Sequence, residues 1–217
     1  VRGMNVAIRN ANDAISLSQT AEGALGKVGD MLQRMRELAV QSANATNGTS
    51  DRANLNAEYQ ALGTEVVRTL ANTKFNGLAI LGANAGTLSF QVGANAGETV
   101  DVVTTRLDTA VSITGATGGA ITDATLAGTA MTNIDTALTA VNGERALYGA
   151  TQNRFDAIIG TLQVAAENQA AAKSRITDAD FAAETANLSR AQILQQAGSA
   201  MVAQANQLPQ AVLALLR

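Results

Sequence analysis

Asp178 and Asp180 stand two residues apart, and carboxylates at close spacing are the raw material of general acid–base chemistry. The stretch GATGGA at 115–120 offers a second prospect, because glycine-rich loops cradle phosphates with their backbone N–H groups. Neither fits its surroundings. A phosphate loop needs a lysine and a preceding strand, and 115–120 has neither, while the two aspartates sit where a helix begins and serve more simply to cap it. The chain has no histidine, which removes the commonest general base and metal ligand, and no cysteine, which removes thiol nucleophiles, structural zinc and disulfides. A His-Glu-x-x-His protease site is therefore excluded. Ser, Asp, Glu and Lys remain, without an arrangement that points to catalysis. The expectation is no enzyme, no metal site and no cofactor.

Bulk properties narrow the partners. Apolar residues make up 47% of the 217, as in an ordered protein, and 15 basic against 18 acidic residues give a net charge of -3, too weak a field to invite nucleic acid or an anionic membrane. Only 3% of residues are aromatic, which argues against sugar stacking. No apolar run approaches the roughly 18 residues of a membrane span, and Val1–Ile8 lacks the basic flank and apolar core of a signal peptide. Partners must be found by shape.

The elements that present such a surface are long helices. From about Met4 to Ala43, Ile8, Ala11, Ile15, Leu25, Val28, Leu32, Met35 and Ala39 recur at helical spacing, predicting a rod of about 60 Å at 1.5 Å per residue. It begins without a cap, so upstream sequence is expected. NATNGTS at 44–50 reads as a turn, with Asn47-Gly48 the favoured place for a positive φ and Ser50 or Asp51 as the following cap. Leu55, Tyr59, Leu62, Val66 and Leu70 predict a second helix ending near Asn72, after which Asn76-Gly77 and Gly82 break the chain. LSFQV and TVDVVTT around GANAGE predict a β-hairpin. Residues 104–130, rich in Thr, Ala and Gly, read as a surface loop or small insertion.

A second long rod follows through Ile134, Leu138, Val141, Tyr148, Phe155, Ile159, Leu162 and Ala166 to about Ala172. A last helix starts at Thr177-Asp178, with Thr177 and Asp180 as a capping-box-like pair. Its apolar positions include Phe181, Leu188, Ile193, Leu194, Met201, Val202 and Leu208, and Gly198 and Pro209 are expected to interrupt it. The fold class is mainly α: a long antiparallel helical rod, bundle or coiled coil, with a β-hairpin and a small Thr/Gly-rich insertion. Residues 1–84 and 132–176 form the rod, 85–131 the hairpin and insertion, and 178–217 a helix whose partner is missing. One detail resists a single buried face. In LQRMRELAVQS at 32–42, Leu38 and Val40 flank the stripe beside Arg34 and Arg36. Either Leu38 edges a wide core stripe, or both residues face another chain.

NANDAISLSQTAEGAL at 10–25, LQRMRELAVQSAN at 32–44 and FNGLAIL at 75–81 resemble the amino-terminal conserved region of bacterial flagellin, and FQVGANAGETV at 90–100 resembles its hairpin. GATQNRFDAII at 149–159 and SRITDADFAAETANLSRAQILQQAGSAMVAQANQLPQAVLALLR at 174–217 resemble its carboxy-terminal region. Against the family's pattern, an upstream helix-forming segment is absent and the variable middle is short. The resemblance implies a subunit of the flagellar filament that polymerises with itself into a helical tube for motility, exported unfolded through the flagellar type III channel to the cell exterior. It implies a filament interface at Met31, Leu38 and Val40, and an epitope for the flagellin-sensing Toll-like receptor at Arg34, Leu38 and Glu58. A filament-core helix that first binds an export chaperone is implied through Leu188, Ile193, Leu194, Met201, Val202 and Leu208. Filament cap and hook-junction proteins are further implied partners. Two alternatives stand beside it: a cell-surface flagellin homologue holding a polysaccharide or metal ion, and the hook-filament junction protein.

Overall fold

The computed structural model describes residues 1–178 and 180–215, the side chains of 206–215 excepted. Helix α1 spans Arg2–Ala43. Its buried residues Ala7, Ala11, Ala14, Ser18, Ala21, Leu25, Val28, Leu32, Met35, Ala39 and Ser42 step by four and three in unbroken alternation, the seven-residue repeat of helices that pack lengthwise. Ile8 and Ile15, expected in this stripe, are only half-buried, and Ala7 and Ala14 take their places. Small residues let the neighbouring backbone come close. Leu17 and Leu38 are buried as well, each one residue ahead of a stripe member, and Ala24 and Met31 continue the same seven-residue column as partly buried side chains. The wide-stripe alternative therefore accounts for Leu38, which is 1% exposed, whereas Val40 is 49% exposed.

Helix α2 (Thr49–Asn72) runs back along α1 and buries Tyr59, Gly63, Val66 and Leu70. Its cap is Gly48, not Ser50 or Asp51; Asp51 instead accepts the Gly48 N–H at 3.1 Å. Gly48 has φ -75°, so the expected positive φ is not at 47–48. It occurs at Asn76 (φ 48°) and Gly77 (φ 83°), in the two-residue turn joining the short strands β1 (Lys74–Phe75) and β2 (Leu78–Ala79). Strands β3 (Thr87–Gln91) and β4 (Thr99–Val103) form the predicted antiparallel hairpin, Ser89 opposite Asp101. The hairpin lies on the first turns of α1. Asn10 donates to the Gln91 carbonyl at 2.9 Å, and a Cβ placed on Gly3 would come within 3.0 Å of the Ala94 Cβ.

Residues 104–130 are not a surface loop. They contain α3 (Val111–Thr117) and the start of α4 (Ala124–Thr177), eight residues before position 132, where the second rod was expected to begin. Leu107, Ile113, Ala116 and Ile121 are core residues. Polar side chains from earlier helices hold this backbone in place: Tyr59 donates to the Ala116 carbonyl, Gln60 to Gly119, Ser42 to Ile121, and Asn56 accepts the Ile121 N–H at 2.9 Å. A Cβ on Gly63 would sit 2.9 Å from the Thr117 carbonyl oxygen, so only glycine admits the segment this closely. Burial pushes the Tyr59 hydroxyl up to about 12, which keeps it a neutral donor.

In α4, Ala127, Ala130, Ile134, Ala137 and Val141 repeat the three-four pattern, and the next two positions are the half-buried Glu144 and the buried Tyr148. Phe155 follows and meets Phe90 of β3 edge to face, ring centroids 5.9 Å apart. The chain divides into two compact units, Val1–Glu167 and Asn168–Arg217. The second holds α5 (Phe181–Leu215), which continues through Gly198 and position 209 without the expected interruption. Its cap is Asp180, whose Oδ1 accepts the Ala182 and Ala183 N–H groups at 3.0 and 3.2 Å. Thr177 instead closes α4, its hydroxyl donating to the Lys173 carbonyl.

Leu38→Ala should lower folding stability by about 2–5 kcal/mol, the cost of a cavity in a packed core. Val40→Ala should stay within about 0.5 kcal/mol. Denaturant midpoints of the two variants check the ordering.

Candidate interaction surfaces

The antiparallel course of α1 and α2 brings residues 24 apart in sequence into contact. Arg34 Nε donates to Glu58 Oε1 at 2.9 Å, and its Nη1 reaches Glu37 at 3.0 Å. The Arg34 and Glu58 side chains are each about half exposed, at 50% and 46%. Hydrogen bonding to Glu58, and secondly to Glu37, raises the Arg34 guanidinium above its ordinary value and leaves it fully charged. On the other flank of α1, Arg36 joins Asp135 of α4 through contacts of 2.7 and 3.4 Å. The hydrogen bond from Arg36 holds the Asp135 carboxyl below its usual range. Between these two pairs lies a shallow recess lined by Gln33, Arg36, Glu37, Val40 and Gln41. Farther along, Glu22 accepts from Gln152 at 3.1 Å and lies 3.8 Å from Arg145, so α4 is tied to α1 at mid-length too.

Of the residues singled out from sequence, Arg34 and Glu58 come together, and Val40 sits on the same helix in the adjacent recess. Leu38 does not join them. Its side chain is packed in the chain's own core, so the surface position expected of it is not where it lies. Met31 packs partly against the core. Leu188, Ile193, Leu194, Met201 and Val202 are all 59–70% exposed along α5, while the Leu208 side chain lies outside the described residues. Sequence reasoning missed Asp135, because its partner is 99 residues away, and also missed the exposed Leu147 and Val164 of α4, which fall outside the buried repeat. Among the described residues no cluster of His, Cys, Asp or Glu could hold a metal ion, and no helix is long and apolar enough to cross a membrane.

Long helices, a seven-residue stripe along α1 and a hairpin laid on its first turns define a mainly α protein built as a helical rod. The bacterial flagellin N-terminal helical region matches residues 1–85, and the bacterial flagellin C-terminal helical region matches residues 131–216. A flagellin of Halalkalibacterium halodurans is 49% identical over 217 residues, covering 100% of this chain and 80% of that one. Flagellin FlaB2 of Treponema pallidum is 39% identical over 231 residues, covering 100% and 81%. The crystal structure of Bacillus cereus flagellin superposes with a TM-score of 0.63 at 34% identity, over 76% of this chain and 94% of that chain. The chain belongs to the bacterial flagellin family, structural subunits of the flagellar filament.

Because the Asp135 carboxyl is lowered in the folded state, its contribution to stability is present above the unfolded carboxylate value of about 4 and fades as pH falls through the lowered one. Asp135→Asn should therefore be less stable than the native chain at neutral pH, with the two denaturation midpoints converging in acid.

Proposed function

We propose that this chain builds the flagellar filament by self-assembly, each copy burying one helical stripe internally and offering a second set of apolar side chains to its neighbours. The observation that carries this reading is the apolar surface outside the core: Val40 on α1, Leu147 and Val164 on α4, and the run from Leu188 to Val202 on α5. Covering a leucine is worth about 1.5–3 kcal/mol, and the gain recurs at every subunit contact. A contact between two different patches that does not close on itself generates a helical polymer. Of the interface residues expected from sequence, Val40 fits this role, Met31 contributes its exposed edge, and Leu38 supports from within.

The assembled filament is extracellular, reached through the flagellar export channel. Before assembly the α5 surface is covered by an export chaperone, and afterwards by filament-core helices; cap and hook-junction proteins meet the ends of the polymer. The ridge bearing Arg34 and Glu58 is the part a flagellin-sensing Toll-like receptor reads, an Arg fork at a surface centre being a common anchor.

Electron microscopy of the full-length polypeptide mixed with filament seeds tests the reading. Seeds should lengthen with the native chain and stay short with Leu147→Asp combined with Val164→Asp, whose helix content should be unchanged. Native chain that leaves seeds at their starting length overturns self-assembly. Deleting 178–217 should abolish chaperone capture in a pull-down, and retained capture would remove the chaperone assignment.

A further inference from the structure

Three Asn-Gly dipeptides occur in the chain, at 47–48, 76–77 and 142–143. Asn-Gly is the pair most open to spontaneous loss of the side-chain amide, because the glycine nitrogen, with no side chain beside it, can reach the asparagine side-chain carbonyl carbon. None of the three asparagines is buried, so exposure does not separate them. Their backbones do. Asn142-Gly143 lies inside α4, where the Gly143 N–H belongs to the helix ladder and the helical backbone turns that nitrogen away from the preceding side chain. Asn76-Gly77 is the turn of the β1–β2 hairpin, both residues held at positive φ by the pairing of Phe75 with Leu78.

Asn47-Gly48 is neither helix nor hairpin. It is the last step of the α1–α2 connection, with Gly48 extended at φ -75°, ψ 172°. Its N–H has a single partner, the carboxylate Oδ2 of Asp51 at 3.1 Å. The nitrogen that must attack is thus the one already handing its proton toward a carboxylate, the arrangement of a nucleophile and its general base. The Asn47 side-chain NH₂ donates to the Gln41 carbonyl, which keeps the side chain folded back over the turn.

We propose that Asn47 is the folded protein's site of spontaneous deamidation, with Asp51 as the base. The Gly48 nitrogen bonds to the Asn47 side-chain carbon and passes its proton to Asp51. The side-chain amide nitrogen takes up that proton and leaves as ammonia, closing a five-membered imide. Water then opens the ring at either carbonyl, giving aspartate or isoaspartate. No oxidant or enzyme is needed. The new carboxylate can no longer donate to the Gln41 carbonyl, so the product loses that bond at the end of α1. The chain becomes one charge more acidic at a surface turn.

The test is peptide mapping by mass spectrometry of the full chain held in mildly alkaline buffer, followed in native solution and in urea. In native solution Asn47 should convert roughly tenfold faster than Asn76 or Asn142, and Asp51→Asn should remove most of that advantage. Circular dichroism should show the helices of the variant intact. In urea the three sites should converge. Equal rates at the three sites in the folded chain, an Asn47 rate that Asp51→Asn leaves unchanged or increases, or a preference for Asn47 that persists in urea each overturns the proposal.

Discussion

One buried stripe along α1 underlies the rest of the first unit. From Ala7 to Ser42 it never misses a step, and the extra column of Leu17, Ala24, Met31 and Leu38 widens it enough for more than one neighbour to share. The hairpin covers the alanine-rich start, α2 covers the far half, Ser42 reaches the Ile121 carbonyl, and Glu22 and Arg36 tie α4 along the other flank. Remove the stripe and α2, the hairpin and α4 lose the surface they share. This is why a side chain as ordinary as Leu38 matters more than the charged residues around it.

The helices, the hairpin and the mainly α class were legible because period and turn chemistry are local signals. Three features were not. Residues 104–130 have the composition of a loop, and their order comes from Ser42, Asn56, Tyr59 and Gln60, whose partners no local pattern announces. Leu38 looked misplaced because it stands one residue ahead of the stripe, in a second column with Leu17, Ala24 and Met31 that a single-stripe pattern does not include. The turn at 44–50 suggested positive φ at Asn47-Gly48, but there Asp51 fixes the glycine in an extended shape; the hairpin at 76–77 is where strand twist demands it.

The surface divides by chemistry. Arg34–Glu58 and Arg36–Asp135 are exposed pairs, and such pairs add little to stability. Their effect is geometric: they stretch two arginines to opposite sides of α1 and leave Val40 uncovered between them. On α5 the division is absent, since every described side chain from Phe181 to Ala205 is exposed. Its Leu188, Ile193, Leu194, Met201 and Val202 are all more than half exposed.

The strict repeat of α1 has a further result. A straight α-helix cannot keep a seven-residue stripe turned to one side over so many turns; it does so only by winding slowly left-handed. Each copy therefore carries a built-in sense of rotation, written into the spacing of its alanines and leucines. Helices packed along this stripe within the first unit thus cross at a small angle and not in parallel.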